Sequence, residues 1–174
     1  MTFTNPAGNA AAAAGYVRAL LDLLGSKDPL AVAAEQVPWL QRRVAGLDQA
    51  RLRRPEAPGK WSVIEVIQHL ADAELVMSFR IRMALTEDQP PLQGYDQDRW
   101  VSVLRYADVP LDVALGQLGG LRGGNLNLWR TLTPEQRQRA GLHSERGLES
   151  VDLMIRMMAG HDLVHRRQID RILG

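Results

Sequence analysis

Apolar residues recur at helical spacing along most of this 174-residue chain. Val17, Leu20, Leu21 and Leu24 repeat every three or four positions, and Gly25 follows where a left-handed cap would sit, which predicts a first helix. Asp28 before Pro29 predicts a second start, because Asp can cap and proline fits the first helical position. Pro38 then predicts a break and a restart, with Trp39, Leu40, Val44 and Leu47 on the apolar side of a further helix. The run RRPEAPGK at 53–60 is rich in proline and charge and reads as a linker.

The clearest local signature follows it. Ser62 and Glu65 form a capping box, and Trp61 and Val66 can staple the start, so a long helix is expected from Ser62 to about Leu85. Its buried face would carry Val63, Val66, Ile67, Leu70, Ala73, Met77, Ile81 and Ala84. Pro90, Pro91 and Gly94 make 86–100 a long connection. Leu111, Leu115, Leu118, Leu121, Leu126, Trp129 and Leu132 predict another helix despite five glycines between Gly116 and Gly124, which the close approach of a neighbouring helix would explain. Thr133, Pro134, His143 and Gly147 read as a loop. A last helix is expected from about Ser150 to Leu173, with Met154, Met158, His161, His165 and Ile169 on one stripe. Val101, Val103 and Tyr106 are the only β-like patch, and one short strand has no partner. The pattern predicts an all-α four-helix bundle with a long crossover connection and short extra helices, and a single domain over 1–174.

Composition narrows the function classes. With 21 Lys and Arg against 20 Asp and Glu, the net charge of +1 implies no acidic polymer as partner. Arg42, Arg43, Arg51, Arg53, Arg54 and Lys60 form a locally basic stretch, but no aromatics interleave with it, so it reads as solvated surface and no nucleic-acid partner is expected. The absence of cysteine removes disulfides, thiolate metal sites and a protein thiol nucleophile. No basic residue precedes Arg18, unlike a secretory signal, and no run approaches the ~20 apolar residues of a membrane span. A cytoplasmic protein without a membrane partner is expected.

The informative cluster is histidine. His161 and His165 are one helical turn apart, with Cβ atoms about 6 Å from each other, on the apolar face between Met158 and Ile169. Buried imidazoles need hydrogen-bond partners or a metal, since an unsatisfied buried polar group costs about 1–3 kcal/mol. His69 sits at the edge of the buried face of the capped helix. If the two helices are neighbours, three imidazoles converge and leave room for water or substrate, the plan of an open metal site, with Zn or Ni preferred over Mg or Ca. The plainer reading keeps them as hydrogen-bonded core residues. Asp162 stands where a zincin would have its general-base Glu. Asp72 and Asp162 could orient a ligand ring or simply meet water on exposed helix faces. Tyr95, Asp96 and Trp100 could line a pocket or merely cover the core. His143 could be a fourth ligand or a substrate contact, or a surface-loop residue.

The segments PGKWSVIEVIQHLADAE at 58–74 and AGHDLVHRRQI at 159–169, with GYDQDRW and LRYADV between them, resemble the DinB / YfiT-like superfamily of bacterial four-helix-bundle proteins. That family is unrelated to the DNA polymerase sharing the DinB name. The resemblance implies a bundle in which His69, His161 and His165 bind one divalent metal, often in a homodimer. It further implies a small-molecule substrate and a low-molecular-weight thiol such as bacillithiol, mycothiol or glutathione. A thiol-dependent S-transferase acting on small electrophiles is the leading expectation. The same metal could instead lower the pKa of water toward ~7, giving a hydrolase. A non-catalytic metal- or ligand-binding stress-response protein is the alternative from another class.

Overall fold

The computed structural model describes residues 10–174. Residues 1–9 of the N-terminal stretch, whose lack of early basic residues argued against a secretory signal, lie outside them. Helix α1 (Ala10–Leu24) ends on Gly25 with φ of 57°, a left-handed conformation in which glycine avoids the Cβ penalty. Helix α2 (Pro29–Val44) starts where Asp28 accepts a hydrogen bond from the Leu30 N–H at 2.9 Å.

Pro38 does not restart the chain: α2 runs through it. The proline deprives the Ala34 carbonyl of its helical donor. Just upstream, the carbonyls of Val32 and Ala33 accept hydrogen bonds from Arg166 and Arg122, and Ala33, Gln36, Leu40 and Val44 are buried. Tertiary packing thus holds the helix together where local preference would end it.

After the one-turn α3 (Gln49–Leu52), helix α4 (Val63–Thr86) opens on its capping box, with the Glu65 carboxylate accepting from the backbone N–H of Ser62 at 2.7 Å. The connection beyond α4 is more structured than its prolines suggest. It contains β1 (Pro91–Leu92) and leads into α5 (Gln97–Val103), so Val101 and Val103 are helical, and Tyr106 lies in a short 3-10 turn. Helix α6 (Leu111–Thr131) is followed by the five-residue α7 (Pro134–Gln138), capped by Thr133, and the hairpin β2 (Ala140–His143) and β3 (Gly147–Ser150). The strands form a small sheet in the order β1-β2-β3, parallel then antiparallel. The region read as an open loop is therefore a helix and a hairpin. Helix α8 (Val151–Leu173) closes the chain, its N-cap Ser150 accepting from the Leu153 N–H.

Helices α2, α4, α6 and α8 form the bundle. Helix α4 lies between α6 and α8, α2 packs on those same two from the opposite side, and α1 covers the outer side of α8. Among the described residues, no helix is long and apolar enough to cross a membrane.

The glycines of α6 are not explained by close packing. A Cβ at Gly116, Gly120, Gly123 or Gly124 would meet nothing within 4 Å, and one at Gly119 would make ordinary contact with Val37 at 3.8 Å. The close approach is at Gly160 on α8, where a Cβ would lie 2.4 Å from the Leu20 carbonyl oxygen. Backbone sets that distance, so Gly160→Ala must push α1 off α8. A loss of about 1–3 kcal/mol, the usual cost of overpacking, is expected in urea titrations. An unchanged midpoint would show that α1 contributes little to stability.

Candidate metal centre

His69 projects from α4 and His161 and His165 from successive turns of α8, and the packing of these helices brings all three rings together. Ring centroids lie 5.1 Å apart for His69 and His161, 4.9 Å for His69 and His165, and 4.4 Å for His161 and His165. The Nε2 atom of His161 is 3.1 Å from that of His69 and 3.0 Å from that of His165. All three residues are buried, at 2%, 8% and 4% exposure.

Proton arithmetic bears on what this arrangement can hold. A ring nitrogen carries either one proton or one in-plane lone pair, so the His161 Nε2 can form only one of its two close contacts as a hydrogen bond. A cation at the point of convergence would satisfy all three lone pairs. Ligand nitrogens at ~2.0–2.1 Å from a tetrahedral Zn stand about 3.3 Å apart, close to the spacing seen. The residues present therefore fit a divalent transition ion, and they form a cluster of three ligand atoms mutually within 4.8 Å.

The protonation states suit that role. Burial, then the proximity of His165, holds His69 well below the usual histidine range. The same order of causes applies to His161, with His69 and Arg122 adding to it. Burial takes His165 down to about 4, against the opposing hydrogen bond to Gln168. All three rings are thus neutral at pH 7, as metal ligation requires. The His165 Nδ1 lies 2.8 Å from Oε1 of Gln168. An amide oxygen only accepts, so Nδ1 carries the proton and the Nε2 lone pair faces the cluster. Trp61, just before α4, roofs the site, its ring 4.9 Å from that of His69 and nearly parallel to that of His165 at 6.5 Å.

Neither aspartate orients an imidazole or faces water. Asp72 is buried and accepts hydrogen bonds from Tyr106, Gln68 and Gln117, tying α4 to α6 and the 3-10 turn. Asp162 is fully buried and accepts two hydrogen bonds from Arg122, at 2.7 and 3.1 Å. An aspartate on a helix ordinarily faces solvent, but the interior of this bundle encloses both carboxylates with their partners. His143 is not a surface-loop residue: it is buried on β2, where its Nδ1 accepts from the Glu145 N–H at 3.1 Å. It is not part of the three-histidine cluster.

A cavity of about 60 Å³ adjoins His161 and is lined also by Tyr16, Met77, Arg80, Tyr95 and Arg146. Tyr95 is thus at the pocket. Trp100 packs against its ring in a tilted arrangement, with centroids 4.5 Å apart, and Asp96 instead caps α5 by accepting from the Arg99 N–H. Sequence reasoning missed Gln168, although its three-residue spacing from His165 places it within reach on the helix. It also read Trp61 only as a staple and had no signal for Arg80 or Arg146, since an arginine on a helix or in a loop ordinarily reaches water.

Comparison with known proteins adds independent findings. Residues 39–169 match the family model of the DinB superfamily. A protein of Oceanobacillus iheyensis, provisionally named a metal-dependent hydrolase, is 30% identical over 130 residues, 75% of each chain. One of Bacillus mycoides with the same provisional name matches to the same extent, 30% over 130 residues and 75% of each chain. Among solved structures, YfiT from Bacillus subtilis superposes with a TM-score of 0.75 at 25% identity, covering 82% of this chain and 84% of that one. It is provisionally described as a metal-dependent hydrolase with an unusual four-helix bundle topology. The mycothiol-dependent maleylpyruvate isomerase shares the fold, with a TM-score of 0.67 at 14% identity over 86% of this chain and 62% of that one.

Proposed function

This chain belongs to the DinB superfamily, and on that premise we propose that it is a metal-dependent enzyme for small molecules, with His69, His161 and His165 as the ligands of one divalent transition ion, Zn or Ni. The observation that carries the reading is the convergence of three neutral, buried Nε2 atoms beside a cavity. Thiol-dependent S-transfer to a small electrophile is the leading reaction class. When bound, the metal would act as a Lewis acid that lowers the pKa of the incoming nucleophile.

The chain's own residues favour a thiol nucleophile. A cysteine-type thiol begins near pKa 8.5, whereas water is some seven units higher and is commonly helped by a general base. The two carboxylates nearest in sequence to the ligands, Asp72 and Asp162, are already committed to Tyr106 and Arg122. With no cysteine in the chain, the thiol must come from a cosubstrate. Gln168 holds the His165 ring, Trp61 shields it, and the apolar side chains of Met77 and Met158 limit water at the cavity. Hydrolysis is the second reading, favoured by the provisional names of the relatives.

The test is metal analysis of untagged protein, followed by turnover with bacillithiol, mycothiol or glutathione and a generic electrophile. Thiol-dependent turnover supports the first reading. Ester cleavage unaffected by omitting every thiol would replace it with the second. Gln168→Leu should leave the fold intact and weaken metal binding by roughly 10–100-fold, the usual cost of losing a partner that orients a ligand. Competition with a chromogenic chelator measures it, and an unchanged affinity would remove Gln168 from the site.

A further inference from the structure

Among the described residues, Arg122 and Arg80 are both buried, and they are provided for differently. Arg122, 2% exposed, faces the carboxylates of Glu74 and Asp162 and the Ala33 carbonyl. Arg80, 6% exposed, makes no direct ion pair among the described residues, the carboxylates that act on its charge being the more distant Glu149 and Glu145. Its guanidinium donates to the Gln93 carbonyl and touches the Met77 sulfur, which leaves most of its five N–H donors without a described acceptor. Burying a cation without a direct ion pair is costly, and Glu149 and Glu145 compensate Arg80 only from beyond ion-pair distance. Arg80 lines the cavity that reaches His161. The second cation there, Arg146, is engaged by Glu149. Tyr95 lines the same wall, and its hydroxyl, pushed up to about 12 mainly by burial, stays protonated and able to donate.

We propose that Arg80, assisted by the Tyr95 hydroxyl, is a recognition site for the carboxylate of a small substrate or cosubstrate whose reacting end points toward His161. The planar fork of a guanidinium matches a carboxylate with two parallel hydrogen bonds. A cavity near 60 Å³ admits such a group and a few attached atoms, since about 10–15 Å³ of such space holds one water. As a statement about substrate class, the inference rests on the histidines being the reaction centre.

Calorimetric titration of the full chain, metal-loaded and metal-free, with acetate and propionate against acetamide and propionamide tests it. The acids should bind at least tenfold more tightly than the amides in both forms. Arg80→Gln should abolish that preference, and Tyr95→Phe should reduce acid affinity about threefold while keeping its ring on Trp100. If Arg80→Gln does not fold, Arg80→Lys serves: the charge without the fork should still prefer acids but bind them several-fold more weakly. Equal binding of acid and amide, binding of neither, or acid preference that survives Arg80→Gln overturns the proposal. Acid preference confined to the metal-loaded form does so too, since it makes the carboxylate a metal ligand. Acid binding through Arg80 in a chain that takes up no metal would sink the enzymatic reading and leave this site standing. Metal uptake without acid preference would do the reverse.

Discussion

Arg122→Met is expected to destabilise the protein by about 3–5 kcal/mol, the cost of stranding charges by removing one partner of a buried ionic cluster. Native domains have only about 5–15 kcal/mol in all. The position explains the size. From α6, Arg122 reaches Glu74 on α4, Asp162 on α8 and the Ala33 carbonyl on α2, so one side chain bonds to each of the other three bundle helices. Glu74 and Asp162 are both fully buried. Asn125, Ser78 and Arg82 extend the network, Asn125 donating to Glu74 at 2.6 Å and accepting from Ser78 and Arg82. Burial already raises the Asp162 carboxyl to about 6 against the opposing Arg122 guanidinium, and loss of that guanidinium pushes it higher still. Protonation of Asp162 in the folded variant then offsets part of the loss, so the variant's deficit should shrink as pH falls from 7 toward 4. Chemical denaturation at both pH values measures this. A deficit under about 1 kcal/mol at pH 7, the scale of an exposed pair, would show that the cluster is solvated in solution. Adding Glu74→Gln and Asp162→Asn to Arg122→Met should recover part of the stability, because it removes the charges that the single change leaves unpaired.

Long elements with strong local signals were legible in the sequence. The Ser62 and Glu65 box placed the start of α4, and the stripe from Met154 to Ile169 placed the buried face of α8. Once both faces were assigned, the rings of His69, His161 and His165 could be expected to meet if the helices were neighbours. What the pattern could not show was that adjacency, which depends on how the chain crosses from α4 to α8 through α5, α6 and the hairpin. Short elements were hidden for a related reason. A two-residue β1 and a five-residue α7 span only about one period of their pattern, too little to show a repeat, and their stability comes from partners elsewhere in the chain. Pro38 misled because a rule about isolated helices met a helix held on both sides by arginines.

Polar burial was the least legible property. Asp72, Glu74, Arg80, Arg122 and Asp162 have the composition of a solvated surface, yet each is less than a tenth exposed. Charged residues enter a bundle only with partners, and a partner such as Arg122 for Asp162, 40 positions away, is invisible to any local window. The same reasoning separates Arg122 from Arg80. The first is accounted for by the fold, and the second is not, which directs attention from stability to ligand binding.

His161→Ala separates a reaction centre from a structural ion. Loss of a ligand should exceed the ~10–100-fold cost of disturbing an outer partner, so metal content near one ion per chain in the parent should fall to a small fraction in the variant. Melting temperature should hardly change relative to the metal-free parent. His161 is a poor structural residue without an ion: its Nδ1 is buried with no hydrogen-bond partner among the described residues, and its Nε2 crowds two other nitrogens. Removing the ring leaves a void but also removes an unsatisfied polar atom worth about 1–3 kcal/mol, and the two effects oppose each other. The surrounding core of Met154, Ile155, Met158 and Ile169 does not depend on the ring. Elemental analysis with scanning calorimetry reads both quantities from one preparation. Metal lost with the fold kept is the result expected of an open catalytic site. Collapse of the fold would make the ion a structural clamp, and metal content equal to that of the parent would place any ion elsewhere on the chain.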